Sequence, residues 1–116
     1  MTNDRLQRLN DAGINVSDAL NRFMGNENLL EKFLKKFLED KSFEKLREAL
    51  DSGDSEAALA ASHTLKGVCG NLSMGRLADL FTSQVKAFRS GDFNQAKGMM
   101  DEITVAYNET IAAISE

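Results

Sequence analysis

The stretch ALDSGDSEAALAASHTLKGVCGNL, residues 49–72, decides how the chain is read. At Gly53-Asp54 a glycine can end one helix in the left-handed conformation, while the aspartate caps the next and places its charge at the positive end of the new helix dipole. Beyond that turn, an advance of about 100° per residue puts Ala58, Ala61, Leu65, Cys69 and Leu72 on one inward stripe, with Val68 at its border. Leu59, His63, Lys66, Gly67 and Gly70 gather on a different face.

The same signals continue on both sides. Ala87-Phe88-Arg89-Ser90-Gly91-Asp92 repeats the turn chemistry of residues 49–54. Between the two turns, a helix from Met74 or Gly75 to Ser90 aligns Leu77, Leu80, Phe81, Gln84 and Phe88. A final helix from Phe93 to about Ser115 carries Phe93, Ala96, Met100, Ile103, Tyr107, Ile111 and Ile114 on one face. Upstream, Leu30, Phe33, Leu34, Phe37 and Leu38 form a stripe that Phe43, Leu46, Ala49 and Leu50 do not continue in phase. A break between Asp40 and Ser42, either a kink or a new helix capped by Ser42, restores both sets to one core. Two short helices precede these: one from Asn3 to Ala12, ending at Gly13, and one capped by Ser17 that turns Leu20 and Phe23 inward and ends at Gly25. The expected fold is all-α, an antiparallel four-helix bundle over residues 26–116 with short additional N-terminal helices over residues 1–25, all in one domain.

Composition narrows the function. A chain of 116 residues, 42% hydrophobic and 28% charged, has the makings of a globular core. A net charge of -4 argues against nucleic acid or an anionic membrane as the main partner, since both attract excess Lys and Arg. Cys69 is the only cysteine, which rules out an internal disulfide and a multi-cysteine metal site and fits a reducing compartment. No apolar run approaches the roughly 20 residues of a membrane span, and no signal-peptide core is present at the N-terminus. A cytoplasmic protein acting as a monomer is the expectation, and the short N-terminal helices favour a free-standing protein. The five methionines serve as core filler.

His63, the only histidine, carries the chemistry. Residues three and four apart on a helix are neighbours, so Lys66 brings a positive charge beside the imidazole and Gly67 removes any side chain that would crowd it. Gly70 clears the next turn. Each interior glycine costs roughly 1 kcal/mol relative to alanine, and access for something large and anionic is a reason to accept two. Gly70 could equally serve close helix packing. Imidazole offers a neutral, nucleophilic nitrogen around neutral pH, and a phosphoryl group placed on it would find its charge offset by Lys66. Cys69 points elsewhere on the wheel, and no metal-ligand companion stands at helical spacing from His63. There is no phosphate-binding glycine loop and no carboxylate pair sharing the histidine's face, so an ordinary enzyme is not expected.

The run His63-Thr64-Leu65-Lys66-Gly67, followed by Asn71-Leu72 and Leu77, resembles the signature of histidine-containing phosphotransfer (Hpt) domains. GINVSDALNRFMGNENLLEKFLKKFLED (residues 13–40) resembles the entry to their first long helices. LREALDSGD (residues 46–54) and KAFRSGD (residues 86–92) are similarly placed before the histidine helix and the final helix. The resemblance implies a four-helix bundle whose exposed histidine shuttles a phosphoryl group between aspartates of response-regulator receiver domains. By it, His63 is the phosphorylated residue, Lys66 the stabilising neighbour and Gly67 the access residue. It further implies receiver domains and a hybrid sensor histidine kinase as partners, with Mg²⁺ on the receiver and no cofactor on this chain. Many members also orient the imidazole with a glutamine or glutamate from the following helix. Here Val85 stands where glutamate is common, and Gln84 is the candidate. The loop Ser73-Met74-Gly75 differs mildly from the usual Leu-Gly. Leu59, one turn before His63, is a candidate docking contact, and Arg76, Lys86 and Arg89 could form a basic rim facing a receiver's acidic pocket. Two alternatives stay open: an interaction module that binds a receiver or kinase without phosphotransfer, and a substrate domain of a chemotaxis-type kinase. Val85 and the lack of an ATP-binding motif count against the latter.

Overall fold

The computed structural model describes residues 1–116. Its elements are α1 (Asn3–Asp11), α2 (Val16–Arg22), α3 (Glu27–Glu39), α4 (Ser42–Asp51), α5 (Ser55–Asn71), α6 (Gly75–Arg89), α7 (Phe93–Gly98) and α8 (Met100–Ser115). There is no strand, only an isolated bridge between Ile14 and Met74 that ties the α1–α2 link to the α5–α6 turn.

Most helix starts have a polar cap. The side chains of Thr2, Asn15, Asn26, Asp54 and Asp92 each accept the backbone N–H three residues on, a bond worth about 0.5–2 kcal/mol per helix. The cap of α2 is therefore Asn15 and not Ser17, because Val16 is already helical and buried. Ser42 is likewise the first residue of α4 and not its cap; Asp40 Oδ1 accepts the Ser42 N–H at 2.7 Å. The expected break between α3 and α4 is present. At the two Gly-Asp turns, Gly53 and Gly91 have φ of +73° and +79°. The following aspartate amides reach back to the carbonyls of Ala49 (2.8 Å) and Ala87 (3.0 Å), which closes both helix ends.

One cluster of 26 buried hydrophobic residues draws on all eight helices and the α1–α2 link. The predicted α5 stripe of Ala58, Ala61, Leu65, Cys69 and Leu72 is buried throughout. α4 and α6 flank α5, and α8 packs on α1, α3 and α6. Ser62 and Gln84, each eleven residues from Ser73, are hydrogen-bonded to one another, so α5 and α6 run antiparallel. Phe43 stacks on Tyr107 with centroids 3.9 Å apart, and Phe37 meets the same ring at 5.8 Å. The all-α reading holds, but the last expected helix is two, divided at Met99. There the Ala96 carbonyl accepts both the Met99 N–H (3.3 Å) and the Gln84 side-chain amide (3.0 Å). A side chain entering the helix ladder, next to Gly98, is a sufficient cause for the break.

Arg5 closes the two ends of the chain onto α3. Its guanidinium donates to both Glu31 carboxylate oxygens (2.7 and 2.9 Å) and to the Ile114 carbonyl (3.1 Å) at the end of α8. The last turn of α8 has no basic residue of its own, so α1 supplies the cation that its dipole end favours. Arg5→Ala leaves Glu31 and these carbonyls without their donor. It should lower stability by about 2 kcal/mol, read as a lower urea midpoint at unchanged slope.

Candidate functional site

His63 sits mid-way along α5 with its side chain exposed, on the face opposite the Leu65 and Leu72 stripe. No other side chain hydrogen-bonds the imidazole. Lys66 is half-buried one turn later and takes part in no ion pair. Its charge is therefore free for an anion at the histidine.

The two helical glycines are now distinguishable from packing glycines. Beyond the local helix backbone, a Cβ added at Gly67 or at Gly70 would meet no heavy atom within 4 Å. Neither is needed for helix packing, which removes the competing explanation of Gly70. What they create is a bare strip of helix beside His63 and Lys66. Thr64, on the far edge of this strip, donates its hydroxyl to the Ala60 carbonyl at 3.1 Å and is thus already engaged.

Cys69 contributes nothing to this surface. It is fully buried, and burial, helped by the Asp40 charge, pushes its thiol up to about 12. A thiol held protonated in this way is no nucleophile. No group of three or more His, Cys, Asp or Glu side chains is placed to hold a metal ion.

An exposed sole histidine, a free lysine and open helical glycines lie in one file along α5. The family model described as the Hpt domain matches residues 28–114. The chain belongs to the Hpt domain family. No curated protein and no solved structure gives a match. Hpt domains are phosphocarrier modules of two-component signalling, and the family works with receiver domains and kinases.

The structure does not bring Gln84 to the histidine of this Hpt domain. Gln84 is 0% exposed. Its carboxamide is engaged by the Ser62 hydroxyl (2.8 Å) and the Ala96 carbonyl (3.0 Å), so the expected bond to the imidazole is not made. Val85 is buried as well. The polar position on α6 points into the bundle because the inward stripe of that helix runs through it. Leu59 is half-buried against the core, and Arg76 is paired with Glu109 at 2.7 Å.

Sequence reasoning missed an apolar groove of about 660 Å³ beside the site. Phe33 and Phe37 of α3, Phe23 just after α2, and Val68 and Leu72 at the end of α5 form its apolar wall, and Arg22, Lys36, Asp40 and Asn71 its polar rim. Phe23 and Phe33 meet at 5.2 Å, and the Lys36 ammonium lies 5.1 Å from the centroid of the Phe33 ring. Phe33 remains 37% exposed, and Met24, at φ +56° in the turn before α3, is 94% exposed. The signal in the sequence was a stripe on α3 too wide for one core: Phe33 and Leu38 fall at its edges and both stay at the surface.

Proposed function

We propose that this Hpt domain is a phosphorelay intermediate, in which His63 accepts a phosphoryl group from the aspartate of one receiver domain and donates it to another. The open strip at Gly67 and Gly70 beside His63 and the unpaired Lys66 carries this reading, because no contact inside the chain accounts for it. In the step itself, the lone pair of the unprotonated ring nitrogen forms the N–P bond. The P–O bond to the aspartyl carboxyl breaks, and its electrons leave on the carboxylate. The other ring nitrogen keeps its proton. Lys66 offsets the charge of the phosphoryl oxygens, while Mg²⁺ and the acidic pocket belong to the receiver. A receiver seated over His63 would cover Leu59 on one side and the Phe33 groove with Met24 on the other, with Lys36 facing its acidic surface. Arg22, in the same lining, is held by Asp18 at 3.1 Å, and Asp40 adds a negative charge there. A hybrid sensor histidine kinase is the expected upstream source.

The test is transfer from phosphorylated receiver domains, followed by rate across a panel. The expected product on this chain is acid-labile and alkali-stable, and it returns its phosphoryl group to a receiver. A panel that transfers nothing at micromolar protein overturns the reading.

A further inference from the structure

The fully buried Gln84 is bonded in two directions at once. Its Oε1 accepts from Ser62 Oγ on α5 at 2.8 Å, and its Nε2 donates to the Ala96 carbonyl of α7 at 3.0 Å and lies 3.2 Å from Met100 Sδ. The orientation of the amide is fixed by chemistry, since the Ala96 carbonyl can only accept. Ser62 is also 0% exposed and immediately precedes His63.

Around the histidine turn, α5 packs through apolar side chains and Ser62: Ala58, Ala61 and Leu65 are buried, and Leu59 is half-buried against the core. Apolar contacts are non-directional, so they hold the helix in place without specifying its exact angle about its axis. A rotation of about 10° moves a group about 6 Å from the axis by about 1 Å. A misplacement of that size can cost up to about 100-fold in a positioned reaction. The bond at Ser62 is the one side-chain hydrogen bond from α5 to another helix, and so the directional contact at this level.

We propose that the Ser62–Gln84–Ala96 bridge is a positioning device that sets the rotation of α5, and through it the direction in which His63 is presented. This rests on phosphotransfer at His63. Gln84 is then a positioning residue acting through Ser62, where the sequence suggested a direct bond to the ring.

Ser62→Ala, Gln84→Met and the double variant separate positioning from stability. Methionine keeps the length and volume of glutamine, replacing both side-chain partners by apolar groups of similar shape is close to neutral for folding, and the Ala96 carbonyl keeps the Met99 N–H at 3.3 Å. Two quantities are read besides the urea midpoint: the first-order transfer rate from a saturating receiver domain phosphorylated with acetyl phosphate, and the ¹⁵N and ¹H ring resonances of His63, a single set because it is the only histidine. The double variant should keep the wild-type midpoint, lose at least about tenfold in transfer rate, and show shifted or broadened ring signals. A double variant that transfers within about twofold of wild type overturns the proposal, as does a rate that falls only in step with the midpoint. If the wild-type chain accepts no phosphoryl group, the phosphorelay reading fails instead. The ring resonances then decide alone, unchanged signals counting against the positioning role and shifted ones for it.

Discussion

His63→Gln should reduce phosphoryl acceptance from any receiver to background while leaving the fold intact. No second histidine exists to take over, and the one buried thiol is held protonated, so loss should be complete and not partial. Glutamine keeps the polarity and approximate length of the side chain, and His63 is exposed and makes no side-chain hydrogen bond. A substitution at such a position changes stability by no more than about 0.5 kcal/mol. Circular dichroism and the urea midpoint should therefore match wild type, and the acid-labile label should vanish. The same variant separates the two readings of the site. If it still binds receivers and supports the cellular response as wild type does, the chain is an interaction module and His63 is a bystander.

Legibility of the chain in its sequence followed the range of the interactions concerned. Local ones were readable: the Gly53-Asp54 and Gly91-Asp92 turns combine a left-handed glycine with a cap three residues from its target. The α5 stripe repeats every three or four residues and is buried as expected. Boundaries were less so. Asn15 and Ser17 are both competent caps, and only the burial of Val16 between them decides in favour of Asn15. The real failures are long-range. The inward α6 stripe already shows in the sequence that Gln84 faces the core, but the partners that consume its amide, 22 residues upstream and 12 residues downstream, do not show there. The division of the last helix at Met99 shares that origin, since the intruding side chain comes from α6. Phe33 was read into the core by its spacing. Whether an edge position of a wide stripe is covered depends on which helix lies over it, and α2 reaches only far enough to meet it with Phe23.

Gly67→Ala should make the protein more stable and a poorer phosphotransfer partner. Beyond the local helix backbone, a methyl group at this position meets no atom within 4 Å, and alanine is favoured over glycine in a helix interior by about 0.8–1 kcal/mol. The expected gain is a rise of about 2–6 °C in melting temperature. Receiver approach is affected in the opposite sense, because the methyl stands one helical turn from His63, where a phosphoryl group and its flanking acidic loops must fit. A larger side chain, as in Gly67→Gln, keeps most of the helical gain and should slow transfer by about 100-fold, the scale set by displacing a reacting group by about 1 Å. Opposite signs in melting temperature and rate are what an access role requires. A packing role predicts that both fall together, and a solvated, functionless glycine predicts higher stability with an unchanged rate. Gly70→Ala should gain comparable stability, and its effect on rate measures how far along α5 the docked receiver extends.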